Sequence, residues 1–216
     1  MIVTSIEAIS KTRSKVYIDY EFAFVLQNRE CAIYSICEGN QVPEAVYREI
    51  MEELLLPKAK KKAMDLLIKM DRTESELLSK LQQSGFPLEL SEEALSYVKN
   101  YGYVNDYRYA CNYIRSKKHM KSIKMILLEL SQKGIDKELA NQALEECCID
   151  EDGSIEVEAV KKEVRKRCKR VSDLNYEEKM KITVAIYRKG YGSEVISKVF
   201  DELEEMEEQE ESCCSY

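Results

Sequence analysis

The side chains that commonly carry out catalysis are scarce in this sequence of 216 residues. Its single histidine, His119, lies in the strongly basic and polar stretch Lys117-Lys118-His119-Met120-Lys121. We therefore interpret His119 as a solvated turn residue. Neither of the glycine-rich phosphate-binding patterns, G-x-x-x-x-G-K-[ST] and G-x-G-x-x-G, occurs in the sequence. The sequence predicts a protein that is not an enzyme and binds no cofactor.

The eight cysteines are the next candidates for chemistry, either as metal ligands or as disulfide partners. Four of them form the adjacent pairs Cys147-Cys148 and Cys213-Cys214, and no C-x-x-C spacing occurs. With one histidine, a zinc site is not expected. The other four fall within strand or helix patterns, which is typical of small apolar core residues. These are Cys31, Cys37, Cys111 and Cys168. We expect reduced, structural cysteines and no bound metal.

Clusters of lysine and arginine are stronger functional candidates than the histidine or the cysteines, and they indicate binding of another macromolecule. The net charge is −7, but residues 201–211 alone carry eight acidic groups and no basic ones. Outside that segment, 33 basic residues stand against 32 acidic ones, so the body of the chain is about +1. Its cations concentrate at residues 58–62, 117–124 and 161–170. This distribution suits a polyanion or an acidic groove on another protein.

The basic run at 161–170 holds seven cations, a density that is unfavourable without nearby acids or an anionic partner. A solvated helix face, a contact with an acidic groove on another protein and a contact with a DNA backbone are three interpretations of it. We favour the protein groove, with DNA second. The acidic residues 201–211 are expected to form a frayed, solvated extension. The alternative is that they fold back over the basic faces.

Three helical units are predicted to carry these cations. Helix-period apolar runs end at Gly85, Gly134 and Gly190, and an apolar residue follows each glycine directly. The glycines lie 49 and 56 residues apart, which is typical of tandem helical repeats. An earlier run with an alanine and a later run flank each glycine-terminated helix, so each unit has three helices. The alanines are Ala63, Ala110 and Ala159. We predict an elongated array that acts as a binding surface.

The N-terminal residues follow a different period. Apolar residues recur at every second position from Val16 to Leu26, which is typical of a strand. Asn28-Arg29 is predicted as a turn before a partner strand, which gives a hairpin or a three-stranded sheet. A helix beginning at Pro43 follows, and Pro57 is predicted to stop it.

These patterns predict a mainly α protein: an elongated tandem array of three three-helix repeats, preceded by a small N-terminal β-hairpin or sheet and a helix. The segments are 1–57 for the hairpin and helix, 58–104, 105–150 and 151–204 for the repeats, and 205–216 for an acidic C-terminal tail. Met70 is expected to line the first helix of repeat one. The second helix of repeat three is expected to pack through Met180, Thr183, Val184 and Tyr187.

Tyrosines crowd the boundary between repeats one and two, from Tyr97 to Tyr113. Most are expected to be packing residues, and one or two exposed rings could stack on bases. No apolar run approaches the ~20 residues that cross a bilayer, and no secretion signal opens the chain. We therefore expect a cytoplasmic protein without a membrane anchor.

Three stretches, in this order and spacing, resemble the RecX family of bacterial recombinase regulators. They are residues 72–81 (RTESELLSKL), 101–110 (YGYVNDYRYA) and 128–135 (LELSQKGI). The N-terminal hairpin and helix resemble the longer family members. Two departures occur: the family's Gly-Tyr-Leu-Asp-Asp is here Gly-Tyr-Val-Asn-Asp at 102–106, and Met120-Lys121 replaces a frequent Gly-Pro. Neither change removes a helix cap or a core residue.

The resemblance implies three tandem three-helix repeats without a catalytic centre. It implies binding along the groove of a RecA filament on single-stranded DNA, which restrains ATP hydrolysis, strand exchange and co-protease activity, and so recombination, DNA repair and the SOS response. The alternative is a DNA-binding helical module that acts without a recombinase. A monomer is expected in both cases.

Candidate partner-binding cations lie in both basic runs and on the helix before the first. They are Arg108, Arg115, Lys117, Lys118, Lys121, Lys124, Arg165, Lys166, Arg167, Lys169 and Arg170. Residues with a structural role in the family-like motifs are Gly85, Gly102, Tyr103, Asp106, Gly134 and Gly190.

Overall fold

A computed structural model describes residues 1–147 and 154–213 of the chain. The protein folds as two compact units, Met1–Asn105 and Asp106–Tyr216. It is mainly helical, with a small antiparallel sheet at the N-terminus, as predicted. Most of the predicted connection at residues 150–154 lies outside the described residues, since the structure resumes at Ser154.

The N-terminal sheet has three antiparallel strands in the order β1 (Val3–Ala8), β2 (Arg13–Ile18) and β3 (Glu21–Gln27). The single alternation read from the sequence is therefore two strands, joined by a tight turn at Asp19-Tyr20 with positive φ at both residues. A two-residue turn alone would place even-numbered residues of the two strands on opposite faces. A bulge beside Val16 restores the match, and Val16 lies opposite Phe24. The apolar alternation at even-numbered positions therefore continues through the turn, so the sequence pattern does not reveal that a turn is present.

The predicted turn at Asn28-Arg29 and the strand after it are wrong. Residues Asn28–Ile33 form a short helix, α1. Its first turn is closed by Glu30, whose carboxylate accepts a hydrogen bond from the Gln27 N–H at 3.1 Å. This reciprocal capping at the end of β3 favours a helix over a further strand.

The helix predicted to end at Pro57 instead continues. It comprises α2 (Glu44–Glu49), a π-helical turn (Ile50–Leu55) and α3 (Leu56–Lys69). Proline is tolerated because it lies in the first turn of α3, after the π-helical turn has changed the hydrogen-bond pattern. Met70 follows the helix and is exposed, so its predicted core position is also wrong.

Each repeat consists of three helices whose first and third members pack together. Repeat one has α3, α4 (Glu74–Gln83) and α5 (Leu88–Asn100). Repeat two has α6 (Asp106–Lys117), α7 (Ile123–Gln132) and α8 (Lys137–Cys147). Repeat three has α9 (Ser154–Arg165), α10 (Tyr176–Tyr187) and α11 (Ser193–Cys213). Each repeat has its own apolar core.

The three glycines end the second helix of each repeat, as predicted. Gly85, Gly134 and Gly190 have φ values of +98°, +81° and +90°, in the left-handed region that glycine adopts without strain. Two of them also lie against a neighbouring element. A Cβ atom on Gly85 would meet Val25 of β3 at 2.5 Å, and one on Gly190 would meet Met125 of α7 at the same distance. These glycines therefore serve packing between elements as well as helix termination.

The acidic segment is helical rather than frayed, because α11 continues to Cys213. Its carboxylates contact the rest of repeat three. Glu202 forms an ion pair with Lys161 at 2.9 Å, and Glu207 accepts hydrogen bonds from the backbone N–H groups of Val171 and Ser172 at 2.8 and 3.0 Å. These contacts agree with the alternative interpretation, in which the acidic segment folds back over basic residues.

Candidate partner-binding surfaces

Side chains from two of the predicted basic runs meet in a cavity within the unit Asp106–Tyr216. The turn after α6 brings His119 next to α9, where Lys162, Arg165 and Lys166 line the same cavity of about 520 Å³. Lys161 also lines it, together with the acidic Glu158. We call this cavity the junction groove, because it lies between repeats two and three.

Contacts between repeats two and three hold the junction groove in place. The Ser122 hydroxyl accepts a hydrogen bond from the Met125 N–H and lies 3.2 Å from the Lys189 carbonyl oxygen, to which it donates. The Ile123 N–H donates to a Glu156 carboxylate oxygen at 3.0 Å. These bonds fasten the start of α7 to α9 and to the end of α10, so the cations on the groove are presented by a fixed backbone.

A buried carboxylate lies beneath the basic run of α9. Glu163 is 6% exposed and accepts charge-assisted bonds from Lys189 at 2.6 Å, Arg167 at 2.7 Å and Lys166 at 2.9 Å. Burial alone would raise the pKa of Glu163, but the three cations outweigh it and the pKa falls from 4.5 to about 2. Glu163 is therefore the nearby acid that offsets the repulsion within the run.

Several of the predicted partner-binding cations are used inside the protein. Arg115 pairs with Glu146 at 3.2 Å. Lys121 pairs with Glu129, and Lys118 donates to the Cys147 carbonyl oxygen. Arg108 is exposed on α6, Lys117 is half-buried at its end, and Arg170 is half-buried beyond α9. The sequence showed the positive charges of Arg115 and Lys121 but not that the carboxylates of Glu146 and Glu129 pair with them in the fold.

Other predicted cations have no carboxylate partner within residues 1–147 and 154–213. They are Lys124, Arg165 and Lys169, and all three are exposed. Lys162, which we did not nominate, shares both properties. Arg165 and Lys169 also line a second cavity of about 450 Å³, whose lining includes the acidic Glu207 and Glu210. Arg165 and Lys162 are thus exposed cations of the junction groove that have no carboxylate partner in the described residues and can bind a partner molecule.

An apolar surface on α10 was missed by the sequence analysis. We call it the α10 face, defined by Tyr176, Met180, Val184 and Tyr187, which are 78%, 44%, 42% and 62% exposed. Three of these residues were predicted to pack in the core, and this prediction is wrong, since Ile182 and Ile186 are buried instead. Because α10 is apolar on both sides, helical periodicity cannot decide which side faces inward.

The tyrosines near the boundary of repeats one and two divide into two groups. Tyr107 and Tyr113 are partly buried, and their hydroxyls donate to Glu146 and Glu129. Tyr101 and Tyr103 are mostly exposed and their rings stack at a centroid distance of 6.1 Å. Tyr101 and Tyr103 are therefore the exposed rings for which the sequence prediction allowed, whereas Tyr107 and Tyr113 are packing residues.

Cys31, Cys37, Cys111, Cys147 and Cys168 form no disulfide bond; Cys31, Cys111 and Cys147 are buried, and Cys37 is exposed in a loop, not in a core position. Within the described part of the chain, no group of three or more histidine, cysteine, aspartate or glutamate side chains is arranged to hold a metal ion. Nor does any helix in residues 1–147 or 154–213 combine the length and apolarity that spanning a bilayer requires.

Comparison with known proteins gives consistent matches. The family models for the second and third three-helix domains of RecX match residues 105–144 and 154–200. The regulatory protein RecX of Caldanaerobacter subterraneus subsp. tengcongensis is 30% identical over 203 residues, which covers 93% of this chain and 99% of that protein. That of Clostridium acetobutylicum is 27% identical over 205 residues, covering 93% and 95%.

Solved structures give the same result for the fold. A crystal structure of a regulatory protein RecX has a TM-score of 0.62 and 25% identity, covering 93% of this chain and 98% of the other. RecX from Lactobacillus salivarius has a TM-score of 0.59 and 27% identity, covering 68% and 96%.

Proposed function

Because this chain belongs to the RecX family of regulatory proteins, we propose that it is a non-enzymatic regulator that binds the RecA filament on single-stranded DNA. Binding lowers the filament's ATP hydrolysis, strand exchange and co-protease activity. The observation that carries this proposal is the likeness to RecX regulatory proteins along nearly the whole chain. The protein acts as a monomer in the cytoplasm, where the filament forms.

Two surfaces of the unit Asp106–Tyr216 support a contact with another macromolecule. The junction groove presents Lys162 and Arg165, two cations that no carboxylate in the described residues neutralises. The α10 face adds exposed tyrosine, methionine and valine side chains, with Lys181 and Arg188 beside them. Tyr, Met and Arg are enriched where proteins meet, and a cationic groove favours an acidic partner surface.

The test uses purified protein with RecA, single-stranded DNA and ATP. We expect ATP hydrolysis to fall at substoichiometric amounts of the protein, because one bound regulator affects neighbouring subunits of a filament. Cosedimentation with the filament should accompany that fall. Unchanged hydrolysis together with no cosedimentation would disprove the proposal.

Paired charge reversals then identify the contacting surface. Lys162→Glu with Arg165→Glu removes the available cations of the junction groove, and we expect about ten times more protein to be needed for half-inhibition, which corresponds to ~1.4 kcal/mol. The matched control is Lys137→Glu with Lys198→Glu, which makes the same change in net charge at exposed positions of the same unit. If both pairs weaken inhibition equally, net charge and not the groove is responsible. Reversal of Lys117, Lys118, Lys121 and Lys124 tests the other basic run.

A DNA-binding module that acts without a recombinase is the second candidate. The same Lys162 and Arg165 favour it, because lysine and arginine bind phosphates as well as carboxylates. It requires tight binding to bare DNA with an affinity that falls steeply as the salt concentration rises. Weak binding at moderate salt would exclude it.

A further inference from the structure

A further cationic cavity lies in the unit Met1–Asn105. It has a volume of about 410 Å³ and lies between the start of β2, α3 and the end of α4. Arg13 contributes from β2, and Lys61 and Lys62 contribute from α3. We call this cavity the sheet–helix groove. One carboxylate, that of Asp65, also lines it.

Three cations of this groove, Arg13, Lys61 and Lys62, have no carboxylate partner among residues 1–147 and 154–213. By contrast, the preceding Lys60 on α3 pairs with Glu93 at 3.1 Å, and Lys99 pairs with Glu74 at 2.6 Å. Like charges that outnumber the acids near them repel each other, and an anionic ligand relieves that repulsion.

The walls of the groove are fixed before any ligand arrives. Arg13 pairs with Gln27 in the sheet. Gly85, which follows the groove residues Gln83 and Ser84, packs so closely on Val25 that no Cβ atom fits between them. The sheet and repeat one are thus held together on both sides of the cavity, which limits the conformational entropy lost on binding.

A fourth cation is also held in position. Lys58 lines the groove and forms an ion pair with Glu30 at 2.5 Å, and that carboxylate is buried. Glu30 belongs to α1, so the pair ties the first helix of the N-terminal segment to α3. This arrangement positions the lysine while leaving part of its side chain exposed to the cavity.

We propose that the sheet–helix groove binds the phosphodiester backbone of nucleic acid. Besides its cations, its lining contains polar Gln83 and Ser84 and a single apolar side chain, that of Phe86. Sites for protein partners have an apolar or aromatic centre. Contacts to phosphate oxygens are instead made by lysine, arginine, serine and glutamine in wet, polar interfaces. The composition of the groove therefore selects phosphate over an acidic protein surface.

The experiment measures binding of the full-length protein to a fluorescent single-stranded oligonucleotide by anisotropy, without RecA, between about 50 and 200 mM salt. The variant is Lys61→Gln with Lys62→Gln, which removes two positive charges. The control is Arg48→Gln with Lys69→Gln, which removes two exposed charges of the same unit outside the groove. An unlabelled duplex as competitor shows whether single or double strands are bound.

The slope of log affinity against log salt is negative, and each lost phosphate contact lowers its magnitude by about 0.7 for single strands, so the groove variant should lose about 1.4 in magnitude. Its affinity at the lowest salt should fall by about tenfold or more, while the control changes by less than about twofold. Arg13→Gln, on a different element, should lower the magnitude of the slope by about 0.7 without changing the thermal midpoint.

Equal losses in the groove and control variants, or no loss in either, would overturn the proposal. So would a groove variant that weakens RecA inhibition but binds bare DNA normally, since the groove would then contact protein. RecA is absent from the binding assay, so its result is independent of whether the chain regulates a filament.

Discussion

Replacing Glu163 by glutamine should destabilise the unit Asp106–Tyr216 more than the removal of any other single charge in the run at residues 161–170. Glutamine keeps the shape of the side chain but cannot carry the charge that Arg167, Lys189 and Lys166 meet at 2.6–2.9 Å. Removing the charge of this buried carboxylate leaves its three cations without compensation.

The magnitude follows from the pKa of Glu163. It falls from 4.5 to about 2 on folding, and one pKa unit corresponds to about 1.4 kcal/mol, so the ionised carboxylate stabilises the fold by about 3 kcal/mol. The cations are partly exposed and can be rehydrated in the variant, which reduces the expected loss to about 2 kcal/mol. For a unit of this size, the thermal midpoint should fall by roughly 10 °C.

The assay is thermal and urea unfolding followed by circular dichroism. The control is Glu158→Gln on the same helix, whose carboxylate is 70% exposed and lies 3.5 Å from Lys161. We expect it to change stability by less than about 0.5 kcal/mol.

The dependence on pH provides a second measurement. Because the folded pKa of Glu163 lies below the unfolded one, its contribution is fully present above about pH 4.5 and is lost as the pH falls towards 2. The stability difference between wild type and Glu163→Gln should therefore narrow over that range. Equal stabilities of the two glutamine variants at neutral pH, or a difference that persists at pH 2, would refute the reasoning.

Three further outcomes are expected. Gly190→Ala should cost about 1–3 kcal/mol in urea unfolding, because φ is +90° and the new Cβ would lie 2.5 Å from side-chain atoms of α7, whereas Gly192→Ala meets open space and should cost less than about 1 kcal/mol. Leu130→Ala, at a fully buried position, should cost about 2–5 kcal/mol, and equal losses in half-exposed Leu128→Ala on the same helix would contradict that assignment. Met180→Glu on the α10 face should weaken cosedimentation with RecA filaments without lowering the thermal midpoint; a lower midpoint would show that this face is packed.

Much of the fold could be predicted because it depends on short-range spacing. The residues four positions before the three glycines, Leu81, Leu130 and Ile186, are each fully buried. A helix stripe that is apolar on one side and polar on the other has one way to face a core. The segments that resemble known regulators were predictable for the same reason, since they are contiguous runs of 8–10 residues.

The errors fell where local patterns allow two answers. The alternation from Val16 to Leu26 is the same for one strand as for two strands joined by a turn and a bulge. On α10, both sides are apolar, so only packing against α9 and α11 selects Ile182 and Ile186 for burial. Pro57 stops a helix unless the preceding turn is π-helical, which its neighbours do not reveal.

For the candidate binding surfaces too, some features follow from local sequence and others depend on the tertiary structure. Sequence by itself located the basic runs and the helices that carry them, because charge and periodicity are properties of neighbouring residues. Only the tertiary structure decided which cations remain available: Lys121 and Arg115 meet carboxylates from other helices, whereas Arg165 does not. It also placed Arg13 in the lining of the same cavity as Lys61, 48 positions away along the chain. Ion pairing depends on distances of a few ångströms between residues far apart in sequence, and folding alone sets those distances.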